Sequence, residues 1–488
     1  MRIKFHSKIE SRPKSDLIVI PFLSVKGKAK VAINSSSFDG IVKPVLNSGD
    51  FTGSAGEIHF VYGSEGKETR TAMLGLGDEK TINTESIRRA YSALVKKCHQ
   101  NKIQKIAVLV PELNEKINTV VGFSEGIFLT NYVYGYGKSA KEAKLITELH
   151  IIGCDSKQKI KVNETRKIVD AVTFTKDLVN GNADEVTPKY LSQVAKKLAK
   201  KHSKVSATIF DKKRIIKEKM ELLLSVNRGS SGDPAFIILK YRGNPKSKEH
   251  TVVVGKGVTY DTGGLSLKPT GGMLTMRSDM GGAATALGTI DAVASLGLKV
   301  NLTAVVPATE NGIDSCSYKP GDVYGSYLGK TVEIGNTDAE GRLILADALA
   351  YASQKLKPTR IIDFATLTGA VVISLGRVAS GLMTNDEKLA EALIAAGNET
   401  SERTWRLPLF DEYRKQLNSD VADLKNVGGR EAGSIVAGMF LQEFVGKGIP
   451  WAHIDIAGTA FIDRDDGYLT KNATGVGVRL MVSFLTSS

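Results

Sequence analysis

Thr251-Val252-Val253-Val254-Gly255-Lys256-Gly257 decides the fold. Its β-branched run reads as a short buried strand, and the glycines after it let the backbone turn sharply and admit a ligand closely. An alanine-rich helix is expected over Gly281–Leu296, then a strand over Val300–Val306. The alternation repeats, with a helix over Leu343–Leu356, a strand over Arg360–Phe364 and a late strand over His453–Ile456. Strands separated by helices imply a largely parallel sheet covered on both faces. In such sheets ligand sites gather in the loops that follow strands.

The first 150 residues carry a similar pattern. Leu17–Leu23 and Ile106–Val110 read as buried strands, with a helix over Ser86–Cys98 between them, capped by Asn83 or Thr84. We therefore expect an α/β protein of two domains: a smaller one over 1–150, a linker over 151–170 that includes the lysine-bearing Asp155–Lys167, and a larger α/β/α domain over 171–488, entered through Phe174–Pro188.

Composition narrows the function. The cysteines Cys98, Cys154 and Cys316 are too few and too irregularly spaced for a disulfide framework or a thiolate metal site. Cys316 is expected to be a small buried apolar residue. No apolar run approaches the ~18 residues of a membrane span, and no secretory signal is evident, so the expected location is the cytoplasm. The net charge is +14, from 66 basic and 52 acidic residues. Much of the excess lies in Lys189–Lys219, where Lys196, Lys197, Lys200 and Lys201 alternate with Leu191, Val194 and Leu198. That spacing fits a solvated helix face; nucleic-acid binding stays open as an added role.

Two polar clusters follow predicted strands. The upstream one holds Lys256, Asp261, Gly263-Gly264, Lys268 and Asp279; the downstream one is Asn336-Thr337-Asp338-Ala339-Glu340-Gly341-Arg342-Leu343. Each has a structural reading, Asp279 as a helix cap and Asp338 and Glu340 as acids favoured at a helix start. Neither explains Lys256 or Asp261. Four acids and two lysines in glycine-rich turns fit a site for two divalent ions. Lys256 is a candidate neutral amine ligand, and Lys268 a charged group that polarises a substrate carbonyl. An oxygen-rich donor set is permissive for Zn, Mn, Mg or Co.

Rival motifs fail. None of the seven histidines forms an HExxH pair, and His250 and His453 read as structural. Gly255–Gly264 lacks the Gly-Lys-Ser/Thr ending of a phosphate loop, and Gly329-Lys330-Thr331 has its upstream glycine, Gly325, one residue too close. Gly122-Phe123-Ser124-Glu125-Gly126 has the spacing of a nucleophile elbow without the apolar strand that an elbow requires.

The sequence closely resembles the leucyl aminopeptidases over roughly residues 170–488. The resemblance rests on Asn336–Leu343, Val254–Gly257, Asp261–Gly264, Lys268-Pro269 and Met276–Ala284, and further on Ala365–Gly369, Asp423–Arg430 and Trp451–Gly458. Asn227 and Glu431 are small departures that leave every ligand position intact. The resemblance implies a macro-like N-terminal domain and a catalytic domain holding two divalent metals, Mn or Zn foremost. Lys256, Asp261, Asp279 and Glu340 would bind one ion, and Asp261, Asp338 and Glu340 the other. It further implies that Lys268 stabilises a gem-diolate and that Arg342 holds a bicarbonate base. Met276, Thr366, Leu367 and Gly369 would receive the first residue of a peptide with a free N-terminus, preferably leucine, and the subunits would form a homohexamer.

Overall fold

The structure, a computed structural model, describes residues 1–33, 37–63, 67–135 and 143–487. The chain forms two compact units, residues 1–169 with 464–470, and 170–463 with 471–488. Residues 151–170 complete a strand and open a single 25-residue helix, Ser156–Asn180.

The first unit is built on a sheet of seven strands: β1 (Arg2–His6), β2 (Leu17–Val25), β3 (Lys28–Val31), β4 (Ile58–Tyr62), β5 (Arg70–Asp78), β6 (Lys105–Leu109) and β7 (Glu148–Ile152). Its order is β1-β7-β6-β2-β5-β4, with β3 paired to β2. The pairings are parallel except for the hairpin partners β3 and β4. Helix α1 (Thr84–Gln100) starts at Asn83, whose side chain accepts from the Ser86 amide in a reciprocal capping box. The elbow-like Gly122–Gly126 lies inside the buried helix α2 (Thr119–Thr130). A Cβ on Gly126 would stand 2.4 Å from the Arg88 carbonyl oxygen, so the spacing serves close helix packing.

The second unit contains a sheet of nine strands. They are β8 (Val205–Phe210), β9 (Ala235–Arg242), β10 (Thr251–Gly255), β11 (Gly257–Asp261), β12 (Asn301–Asn311), β13 (Arg360–Ala365), β14 (Ser380–Thr384), β15 (Thr404–Arg406) and β16 (Trp451–Asp455). The order is β15-β14-β16-β13-β10-β12-β9-β8, with β11 paired to β12. The central strands β16, β13, β10 and β12 run parallel, so their C-terminal ends share one edge. β14, β9 and β8 join antiparallel, making the sheet mixed.

Helices α3 (Pro188–Lys201), α4 (Gly281–Leu296) and α5 (Val478–Ser487) share one core with one sheet face; α6 (Glu340–Lys355) and α7 (Gly433–Gln442) share another with the opposite face. This is the expected three-layer arrangement. Gly282 permits the close approach of α4, since a Cβ there would fall 2.0 Å from the Phe364 carbonyl oxygen.

One expectation is met and one needs correction. The solvated helix face expected within Lys189–Lys219 is that of α3, which ends at Lys201; β8 and a second short helix, Lys212–Lys217, follow. Within α3, Leu191, Val194 and Leu198 are buried while Lys196, Lys197 and Lys200 face solvent. Cys316 is exposed, because it lies in the loop after β12 rather than on a strand or helix face; Cys98 and Cys154 are buried. Among the described residues no helix is long and apolar enough to cross a membrane.

Candidate metal centre and active site

The parallel strands deliver their polar termini to one edge. Lys256 leaves β10, Asp261 closes β11, Asn311 closes β12, Thr366 follows β13 and Asp455 closes β16. Glu340 is the first residue of α6, with Asp338 just before it. Asp279 sits in the 3-10 turn Met276–Met280, and α4 starts after Met280 with no side-chain cap. The capping role considered for Asp279 is therefore not realised. Its carboxylate instead accepts the Thr366 hydroxyl at 2.7 Å and pairs with Lys256.

The two clusters come together. Lys256 Nζ lies 2.8 Å from Asp279, 2.9 Å from Glu340 and 3.0 Å from the Thr366 carbonyl oxygen. Lys268 Nζ lies 2.8 Å from Asp261 and also contacts Asp338. Oxygens of Asp261, Asp338 and Glu340 lie within 4.8 Å of one another, which suits a shared cation. Glu340 Oε2 is buried with no hydrogen-bond partner among the described residues. An orphaned carboxylate oxygen beside two further carboxylates leaves a donor free for a cation, alongside the ion pair that Glu340 Oε1 makes with Lys256.

Electrostatics agree. Burial raises the carboxyl pKa values of Asp279, Glu340 and Asp338, and neighbouring acids add to the rise. For Lys256, burial favours loss of the proton, but Asp279, Glu340 and Asp261 outweigh it and raise the pKa. Lys268 is raised by the same balance. Four carboxylates against two ammonium groups leave a formal charge of −2, before any proton is lost from Lys256. Arg342, in the first turn of the same helix, is buried; desolvation lowers its pKa to about 10 against the pull of Glu340 and Asp455.

Several positioning groups carried no role in the sequence reading. Asn311 donates to Asp261 at 2.8 Å and to the Thr337 carbonyl at 3.0 Å, which the Tyr318 hydroxyl also holds at 2.6 Å. The Asn426 side chain accepts from the Gly335 amide at 2.8 Å and donates to the Asn336 carbonyl at 2.8 Å. Its own carbonyl receives Arg342 Nη1 at 2.7 Å. Gly263 and Gly264 both adopt positive φ, 86° and 63°, and the Thr337 hydroxyl ties the Gly263 carbonyl at 2.6 Å. The substrate-pocket candidates occupy the same edge. Thr366 and Leu367 are half-buried after β13, Met276 is half-buried three residues before Asp279, and Gly369 is exposed at the start of helix Gly369–Leu375.

A strand-edge centre of clustered carboxylates with lysines beside it is suited to hold divalent cations, as the centres of metal-dependent hydrolases are. The profile of the cytosol aminopeptidase family's catalytic domain matches residues 173–482, and that of its N-terminal domain matches residues 22–141. This chain belongs to that family, whose members are exopeptidases acting at peptide N-termini. It is 52% identical to a probable cytosol aminopeptidase of Protochlamydia amoebophila, over 98% of this chain and 97% of that protein. It is 47% identical to a probable cytosol aminopeptidase of Chlamydia abortus, over 99% of each. Among solved structures, the bottromycin maturation enzyme BotP in complex with Mn superimposes with a TM-score of 0.85 at 29% identity, over 97% of this chain and 99% of that one.

Proposed function

We propose that this protein is a two-metal aminopeptidase that releases apolar N-terminal residues, leucine foremost, from peptides. The observation that carries the reading is the convergence of Asp261, Asp338 and Glu340 within 4.8 Å, beside the Lys256–Asp279 pair. Lys256, Asp261, Asp279 and Glu340 would hold one ion, and Asp261, Asp338 and Glu340 the second, with Mn or Zn the favoured metals and Mg or Co admissible. When bound, such ions supply Lewis acidity and lower the pKa of a water molecule.

The chain's own groups do the rest. Lys268 offers its ammonium to the substrate carbonyl oxygen and stabilises the gem-diolate as negative charge develops. Arg342 would hold a bicarbonate, which would supply a general base beside the site. The Leu367 carbonyl helps receive the free α-amine, while Met276, Thr366 and Gly369 border the first side chain. The proposed assembly is a homohexamer, which rests on the family resemblance alone.

The test pairs leucine amide with its N-acetyl derivative. Removing metal should abolish cleavage of the free-amine substrate, and Mn or Zn should restore it, with the acetylated substrate resistant throughout. Full activity without metal, or cleavage of the blocked substrate, would contradict the reading.

A further inference from the structure

Asp455 belongs to none of the roles assigned above, yet it is wholly buried at the C-terminal end of β16. One carboxylate oxygen accepts the Leu367 amide at 3.1 Å and the Ala457 amide at 3.2 Å; the other accepts the Thr368 hydroxyl at 2.7 Å. In a trans peptide unit the carbonyl and the N–H point in opposite directions. The Thr366–Leu367 peptide is trans. Its N–H points at Asp455, so the Thr366 carbonyl must point away from it. That carbonyl is the one that receives Lys256 Nζ at 3.0 Å. The same turn sends the Thr366 hydroxyl to Asp279. The Thr368 hydroxyl, besides donating to Asp455, accepts the Val371 amide and so fixes the start of the following helix.

We propose that Asp455 is a positioning residue for the metal centre, setting the Thr366–Leu367 peptide plane so that Lys256 and Asp279 face the ion they share. The inference rests on the two-metal reading. A purely structural reading of Asp455 holds that it only satisfies buried amides of the turn. That reading predicts lost stability with unchanged metal affinity, which separates it from ours.

The test uses the full-length protein, stripped of metal and titrated calorimetrically with Mn2+, alongside kcat and KM for leucine amide. Asp455→Ala should weaken one of the two Mn2+ binding events by about ten- to a hundredfold, the range seen when a group orienting a metal ligand is removed, and lower kcat in step. Asp455→Asn should restore most of that loss, since its amide oxygen still accepts the Leu367 N–H. Should the alanine variant not fold, Asp455→Ser, polar but too short to reach both partners, takes its place. Wild-type Mn2+ affinity in the folded Ala or Ser variant would overturn the inference while leaving the two-metal reading intact. A wild-type protein that binds fewer than two ions per subunit would overturn that reading, and the inference with it.

Discussion

Gly341→Ala puts the geometry around Lys256 to a direct test. A methyl at Gly341 would stand 2.5 Å from Lys256 Cε and 2.6 Å from Nζ. Ordinary contact between such atoms begins at about 3.5 Å, so the lysine must retreat by about 1 Å. Its three bonds, at 2.8, 2.9 and 3.0 Å, leave no slack for that displacement. A misplacement of about 1 Å in a reacting constellation costs on the order of a hundredfold in rate, or roughly 2.7 kcal/mol. Stability should change far less. Alanine over glycine in a helix gains up to ~1 kcal/mol, and overpacking costs about 1–3 kcal/mol. The assay is kcat/KM on leucine amide with Mn2+ affinity and a thermal melt. Gly271→Ala serves as control, because its methyl would meet nothing within 4 Å. A Gly341→Ala protein with kcat/KM within about threefold of wild type, a difference of under 1 kcal/mol, would show that Lys256 is not held where argued.

Two further outcomes are expected. Glu340→Gln should lower metal content and turnover together by at least about tenfold, while the metal-free protein melts no earlier, because a buried like-charge conflict with Asp261 is relieved; unchanged metal content by elemental analysis would refute the ligand assignment. The His453–Asp363 pair should make the second unit's stability pH-dependent. Burial lowers the imidazole pKa, but Asp363 at 2.5 Å outweighs it, and the folded value stands above the ordinary ~6.5. The pair's stabilisation is then fully present below about pH 6.5 and is lost as pH rises through the raised folded value. Urea unfolding at several pH values should show this slope in wild type and not in Asp363→Asn, and equal slopes would refute the charged pair.

How much of this was legible depends on where each group's partners lie. Gly281–Leu296 was readable as a helix from its residues alone, as were the cores of β2, β10 and β13, because their apolar patterns are local. The antiparallel β8, β9 and β14 were not, since strand direction depends on long-range pairing that leaves no local pattern. The metal-ligand candidates were visible because acids and lysines between glycines are unusual. Their supports were hidden. Asn311 meets Asp261 across 50 residues, Arg342 meets Asn426 across 84, and Leu367 meets Asp455 across 88. A buried amide has no sequence signature until its partner is known. Cys316 misled for the opposite reason: cysteine is usually interior, and nothing nearby in sequence announced a protruding loop.

The strand Trp451–Asp455 wedges between Arg360–Ala365 and Ser380–Thr384, which precede it by dozens of residues. A growing polypeptide therefore cannot close its central sheet until this late segment emerges from the ribosome. The Leu367 amide then gains its acceptor only when that strand docks, so this edge of the sheet should form in one cooperative step rather than turn by turn.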